Sequence, residues 1–157
     1  MIDCTYFEGI LSIGLSVGMG ATPVQVAERE RITYFIEVYE KEYLEKVLGS
    51  LYNDFMDYLE SQDNDIIFDK VKAIMTEQYS PIAGYVYFKY LTLGNYHITR
   101  MGAVASAEEK AVSPAINQVR VWNDMVDKNN AIRSLLNGKK GYSATDDMFT
   151  KINDFGI

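Results

Sequence analysis

Hydrophobic positions along this chain fall into blocks, each opened by a polar cap or a proline and closed by glycine or a polar turn. Ile32, Phe35, Ile36 and Tyr39 recur at i, i+3, i+4 and i+7, while Glu28, Glu30 and Glu37 fall on the other side. The pattern runs on through Tyr43, Leu44, Val47 and Leu48 to Gly49, which predicts a stop or a sharp bend. Thr22-Pro23-Val24-Gln25 supplies the start: a threonine cap, proline at the first helical position and glutamine closing a capping box. Leu51, Tyr52, Phe55, Met56 and Leu59 repeat the spacing before a polar turn at 61–65. A further helix over 66–78 then places Ile67, Val71, Ile74 and Met75 on one face and must end before Pro81.

The next block has no polar face. Ser80-Pro81-Ile82-Ala83-Gly84-Tyr85-Val86-Tyr87-Phe88-Lys89-Tyr90-Leu91 opens with a serine cap and a proline, and Lys89 is its only charge. A helix that is apolar all round is buried, so this one predicts a central post, provided each tyrosine hydroxyl finds a partner. From 92 to 112 the period is lost, apart from a β-prone patch at 96–99. Ser113-Pro114 repeats the helix start, and Ala115, Val119, Trp122, Val126 and Ile132 mark the buried face of a helix reaching about Asn137. Such a helix is roughly 35 Å long.

The predicted fold is all-α. It is a compact helical bundle around a buried central helix at about 80–92, with an extended N-terminal arm, a long loop with candidate short strands at 92–112 and a C-terminal tail. The divisions expected are an arm at 1–21, with a short strand near 5–7, a single helical domain at 22–141 and a tail at 142–157. The arm is expected to lie on the body or on a partner.

Charge adds a second pattern. The formal net charge is −7, which disfavours non-specific binding to nucleic acid or anionic lipid. Residues 1–79 hold 6 Lys+Arg against 15 Asp+Glu, a balance of −9, whereas residues 80–157 hold 9 against 7, a balance of +2. That asymmetry reads as a solvated acidic face, or as one side of a contact between copies. Cys4 is the only cysteine, so no intrachain disulfide forms, and a reducing cytoplasm is the expected place of synthesis. The apolar run between Gly9 and Gly20 is too short for a membrane helix and lacks a basic flank, so a soluble protein is expected.

The inventory of reactive groups is thin. His97 is the only histidine, which excludes His-pair metal sites and leaves any Ser/His or Cys/His machinery resting on one residue. Asp63, Asp65 and Asp69 lack the glycine and glutamate of a calcium loop, and Asp63 or Asp65 reads better as a helix cap. Glu37, Glu40, Glu42 and Glu45 have no Glu-x-x-His to complete a metal bundle. Gly14, Gly18 and Gly20 do not form a phosphate loop. No catalytic, metal or cofactor residue is therefore expected, and a binding or assembly protein is. Tyr96, Ile98 and Met101 mark the long loop as a place for contacts.

Three strings carry a family likeness: 80–90, then Thr99-Arg100-Met101-Gly102-Ala103-Val104, then Ser113-Pro114-Ala115 with Val119-Arg120-Val121-Trp122-Asn123-Asp124-Met125-Val126. Together with 35–49 they resemble the head-to-tail connector (neck adaptor) proteins of tailed bacteriophages, closest to those of crAss-like and related phages. The likeness covers roughly residues 5–130. It implies an all-α virion subunit that assembles with itself as a ring, of twelve copies, beneath the portal protein, with DNA passing through. It also implies another neck or tail ring protein as a neighbour. Mapped onto this chain, it makes Tyr96, His97, Ile98, Thr99, Arg100 and Met101 a candidate inter-subunit or channel loop. Met148, Phe149, Ile152 and Phe155 become a candidate docking tail, and Tyr6, Phe7, Ile10 and Leu11 candidate arm contacts. The alternative expectation is a non-enzymatic helical module that binds another protein.

Overall fold

A computed structural model of the chain describes residues 1–7, 9–13, 22–61, 64–94, 96–99, 102–105, 114–143 and 149–152. The elements in order are α1 (Pro23–Leu48), α2 (Tyr52–Ser61), α3 (Ile66–Met75), α4 (Pro81–Gly94), β1 (Tyr96–Thr99), β2 (Gly102–Ala105) and α5 (Pro114–Leu136). The fold is all-α, with one small antiparallel hairpin between α4 and α5. No helix among the described residues is long and apolar enough to cross a membrane.

The central helix is where the pattern put it. Every residue from Ser80 to Tyr87 is buried, and the helix packs along both α1 and α5. The Ser80 hydroxyl oxygen accepts from the backbone N–H of Ile82 (3.1 Å) and Ala83 (3.4 Å), satisfying two free donors of the first turn. The same hydroxyl donates to the Met75 carbonyl at 2.6 Å, so one buried side chain ends α3 and starts α4. Gly84 faces α5, and a Cβ there would lie in ordinary contact with Met125 Cβ and Val121 Cγ1, each at 3.5 Å. Asp65 caps α3, its carboxylate accepting from Ile67 N (2.9 Å) and Phe68 N (3.0 Å). Gly49, at φ 52°, supplies the left-handed residue that bends the chain from α1 into α2 through a 3-10 turn, Gly49–Leu51.

Several expectations are corrected. The helix over 66–78 ends at Met75, because the Ser80 hydroxyl draws the Met75 carbonyl out of the helical ladder. The strand near 5–7 is a 3-10 turn, Cys4–Tyr6: the Asp3 carboxylate accepts from Thr5 N (2.8 Å) and Thr5 Oγ1 (2.6 Å), which closes a turn rather than extending the chain. On α5 the buried stripe runs through Val121, Met125, Val126, Asn129, Ile132 and Leu136, with Trp122 half-buried at its edge. Val126 and Ile132 of the expected face are thus buried, whereas Val119 and Trp122 are only half-buried.

A second buried polar contact, besides Ser80, crosses the core. Tyr43 is fully buried and its hydroxyl donates to the Asn129 side-chain oxygen, tying α1 to α5. Because the Ser80 hydroxyl serves three backbone groups at once, Ser80→Ala should destabilise the fold by about 1–2 kcal/mol. A urea titration followed by circular dichroism reads this, and an unchanged midpoint would contradict the assigned cap.

Candidate assembly surfaces

The loop residues singled out by sequence lie in the hairpin. Tyr96 pairs with Ala105, His97 with Val104, Ile98 with Ala103 and Thr99 with Gly102, in antiparallel register. Arg100 and Met101 lie outside the described residues. Among the described residues the two strands pack on each other and make no extended contact with any helix. Among the described residues no further strand pairs with either outer edge.

The arm and the tail are placed differently from free appendages. Phe7 and Leu11 are buried in the core together with Ile2, and the Tyr6 hydroxyl donates to the Thr76 carbonyl at 3.1 Å. Of the four candidate arm contacts, Ile10 is the one left exposed. In the tail, Phe149 is buried against Tyr43, Tyr85 and Trp122, with ring centroids 5.6–6.0 Å apart. The Trp122 indole N–H donates to the Thr150 carbonyl at 2.8 Å, and Asn123 exchanges two hydrogen bonds with the backbone of Ile152, whose side chain is exposed. Met148 and Phe155 lie outside the described residues. Phe7, Leu11 and Phe149 thus serve this chain's own core, because it has room for them between α1, α4 and α5.

Two features escaped the sequence reading. The first is a charged cluster around the ring of Tyr85. The Tyr85 hydroxyl donates to Glu42 at 2.8 Å, Lys46 bonds both Glu42 and the Tyr85 oxygen (3.1 Å), and Lys89 stands 3.6 Å from Glu42. Both lysines lie over the Tyr85 ring, at 5.6 and 5.3 Å from its centroid. Burial works to raise the Glu42 carboxyl, but bonds from Lys46 and Tyr85 and the nearby ammonium charges outweigh it and hold it below its ordinary value. Burial and the bond to Glu42 push the Tyr85 hydroxyl far up. The signal was present in the pairs Glu42/Lys46 and Tyr85/Lys89, each four apart on a helix.

The second is an open cleft of about 430 Å³ where the arm crosses α4 and α5. Leu11, Gly84, Val121 and Met125 form its apolar part, and Arg120 and Asp124 stand on its rim. No sequence pattern marks it, since its lining comes from three separated segments. Among the described residues, no three His, Cys, Asp or Glu side chains gather as a metal site. Cys4 is half-buried with its Sγ 3.4 Å from Thr33 Oγ1. Comparison with protein families, with curated proteins and with solved structures finds no match.

Two outcomes follow from these contacts. Tyr90 is pushed up to about 12 by burial and its bond to Glu28, and Tyr58 to about 12 by its bond to Asp69. The unfolded value is ~10, so the stability these neutral phenols give is complete below that pH and lost as pH rises through it towards the folded values. Ultraviolet titration should show a late group of tyrosines ionising as helix content falls; one uniform step near ~10 with helix intact would contradict it. Separately, Phe149→Ala should cost about 3–5 kcal/mol as a large-to-small core change, read from the urea midpoint. An unaltered midpoint would return the tail to the status of an appendage.

Proposed function

We propose that the chain is a structural virion subunit: a head-to-tail connector that assembles as a ring of twelve copies, docks on the portal and passes DNA through its bore. The observation that carries the reading is the β1–β2 hairpin, which among the described residues makes no extended contact with any helix. A two-stranded hairpin alone is marginal in water, and no further described strand pairs with the edges of this one. Such an element gains most of its stability from a neighbour, which makes assembly its physical rationale. The residue strings on α1, α4, the hairpin and α5 that resemble phage connectors supply the kind of assembly. A net charge of −7 favours a bore that DNA slides through without sequence-specific binding. In this reading the protein is synthesised in the host cytoplasm and resides in the neck of the particle, with the portal and another neck or tail ring as neighbours.

The cleft between α4 and α5 favours a second reading, a helical module recognising one protein partner, in which a defined one-to-one complex takes the place of a ring. Gold-labelled antibody on purified and disrupted phage particles separates the two. Label at the junction of head and tail is expected from the connector. Accessible particles without label there would overturn it.

A further inference from the structure

We propose that the outer face of α1 in one copy docks head to tail into the cleft between α4 and α5 of a second copy. The inference rests on the self-assembly part of the reading above, and not on residence in a virion. Tyr34 and Val38 are large apolar residues left 62% and 40% exposed on α1. Tyr34, Glu37, Val38 and Lys41 stand at i, i+3, i+4 and i+7, so they share one face. That face turns away from α4, because Phe35, Tyr39 and Tyr43 point their rings at Tyr85 and Tyr90. A rigid helix packed this way cannot bring its own outer face to its own cleft. A second copy can.

The cleft offers the complement. Its exposed apolar lining is Ile10 and Tyr79, over the buried Leu11, Val121 and Met125, and gives an apolar helix face a surface to pack on. Its rim carries Arg120 and Asp124, four residues apart, as Glu37 and Lys41 are four apart on α1. The separation along each helix is about 6 Å. With the two helices side by side in the same direction, Glu37 meets Arg120 while Lys41 meets Asp124. Among the described residues Glu37, Arg120 and Asp124 have no partner within the chain, and Lys41 reaches only Glu45, at 3.8 Å on the surface. Each copy presents both halves on different faces, so the contact is heterologous and can repeat around a closed ring.

Charge reversal on the full chain tests this, with self-association measured by sedimentation equilibrium up to millimolar concentration. Glu37→Arg and Arg120→Glu, each replacing attraction by repulsion at an exposed position, should each weaken association at least about fivefold. The double variant should return it to within about threefold of the parent, a rescue that general damage would not produce. Circular dichroism should show all three variants folded. A chain that stays monomeric, single reversals without effect, or a double variant weaker than either single would each overturn the contact. Gold label at the neck combined with any of those results would leave the connector reading standing without this contact. Rescue without label at the neck would keep the contact and remove the connector.

Discussion

A helix without a polar face has to be covered on all sides, and that requirement organises this molecule. α4 is buried from Ser80 to Tyr87, and no single neighbour can cover it. α1 takes one side and α5 the other, with Val121 and Met125 of α5 lying against Gly84. The arm and the tail finish the enclosure, with Phe7, Leu11 and Phe149 filling places that the helices leave open. Segments with no helical period are thus held by the same core that the helices build.

The tyrosines set the second constraint, since a buried hydroxyl without a partner costs about 1–3 kcal/mol. Tyr43 bonds Asn129, Tyr85 bonds Glu42, Tyr90 bonds Glu28 and Tyr58 bonds Asp69. Three of the four partners are carboxylates, two of which, Glu28 and Glu42, sequence alone assigns to a solvated face. Each is drawn to the edge of the core by a phenol, and each raises the phenol in turn. The acidic residues of α1 therefore divide. Glu28 and Glu42 anchor tyrosines of α4, while Glu37 remains in solvent.

Local signals were the legible ones. Ser80-Pro81, Asp65 and Gly49 act within a few residues of themselves, so cap, stop and bend could be read from the chain, as could the buried post they introduce. Thr5 was misread as strand because its β-branched side chain says extended, whereas the carboxylate of Asp3 captures its N–H and hydroxyl. The destination of Phe7 and Phe149 could not be read, because a single aromatic in an aperiodic segment has no spacing to betray a core position. The hairpin was half legible: Tyr96–Thr99 is β-prone, but Gly102–Ala105 becomes strand only through pairing with it. The cleft was not legible at all, being made by three segments that meet only in the fold.

The charge asymmetry between the two halves has a use within one chain, and that narrows what remains for a partner. Lysines of the basic half reach acids of the other half: Lys89 to Glu42, Lys128 to Glu77 and Lys139 to Asp65. These bridges tie α4, α5 and the turn after α5 to elements earlier in the chain, and they spend three of the nine cations of residues 80–157. Among the described residues these three cations are therefore committed within the chain rather than left for a neighbour's acidic side. The acids of α2, Asp54, Asp57 and Glu60, stay exposed and keep copies apart wherever no cation opposes them. Under that repulsion, copies can approach only where individual charges match in sign and spacing over apolar surface. The proposed contact between the rim of the cleft and the outer face of α1 rests on that condition.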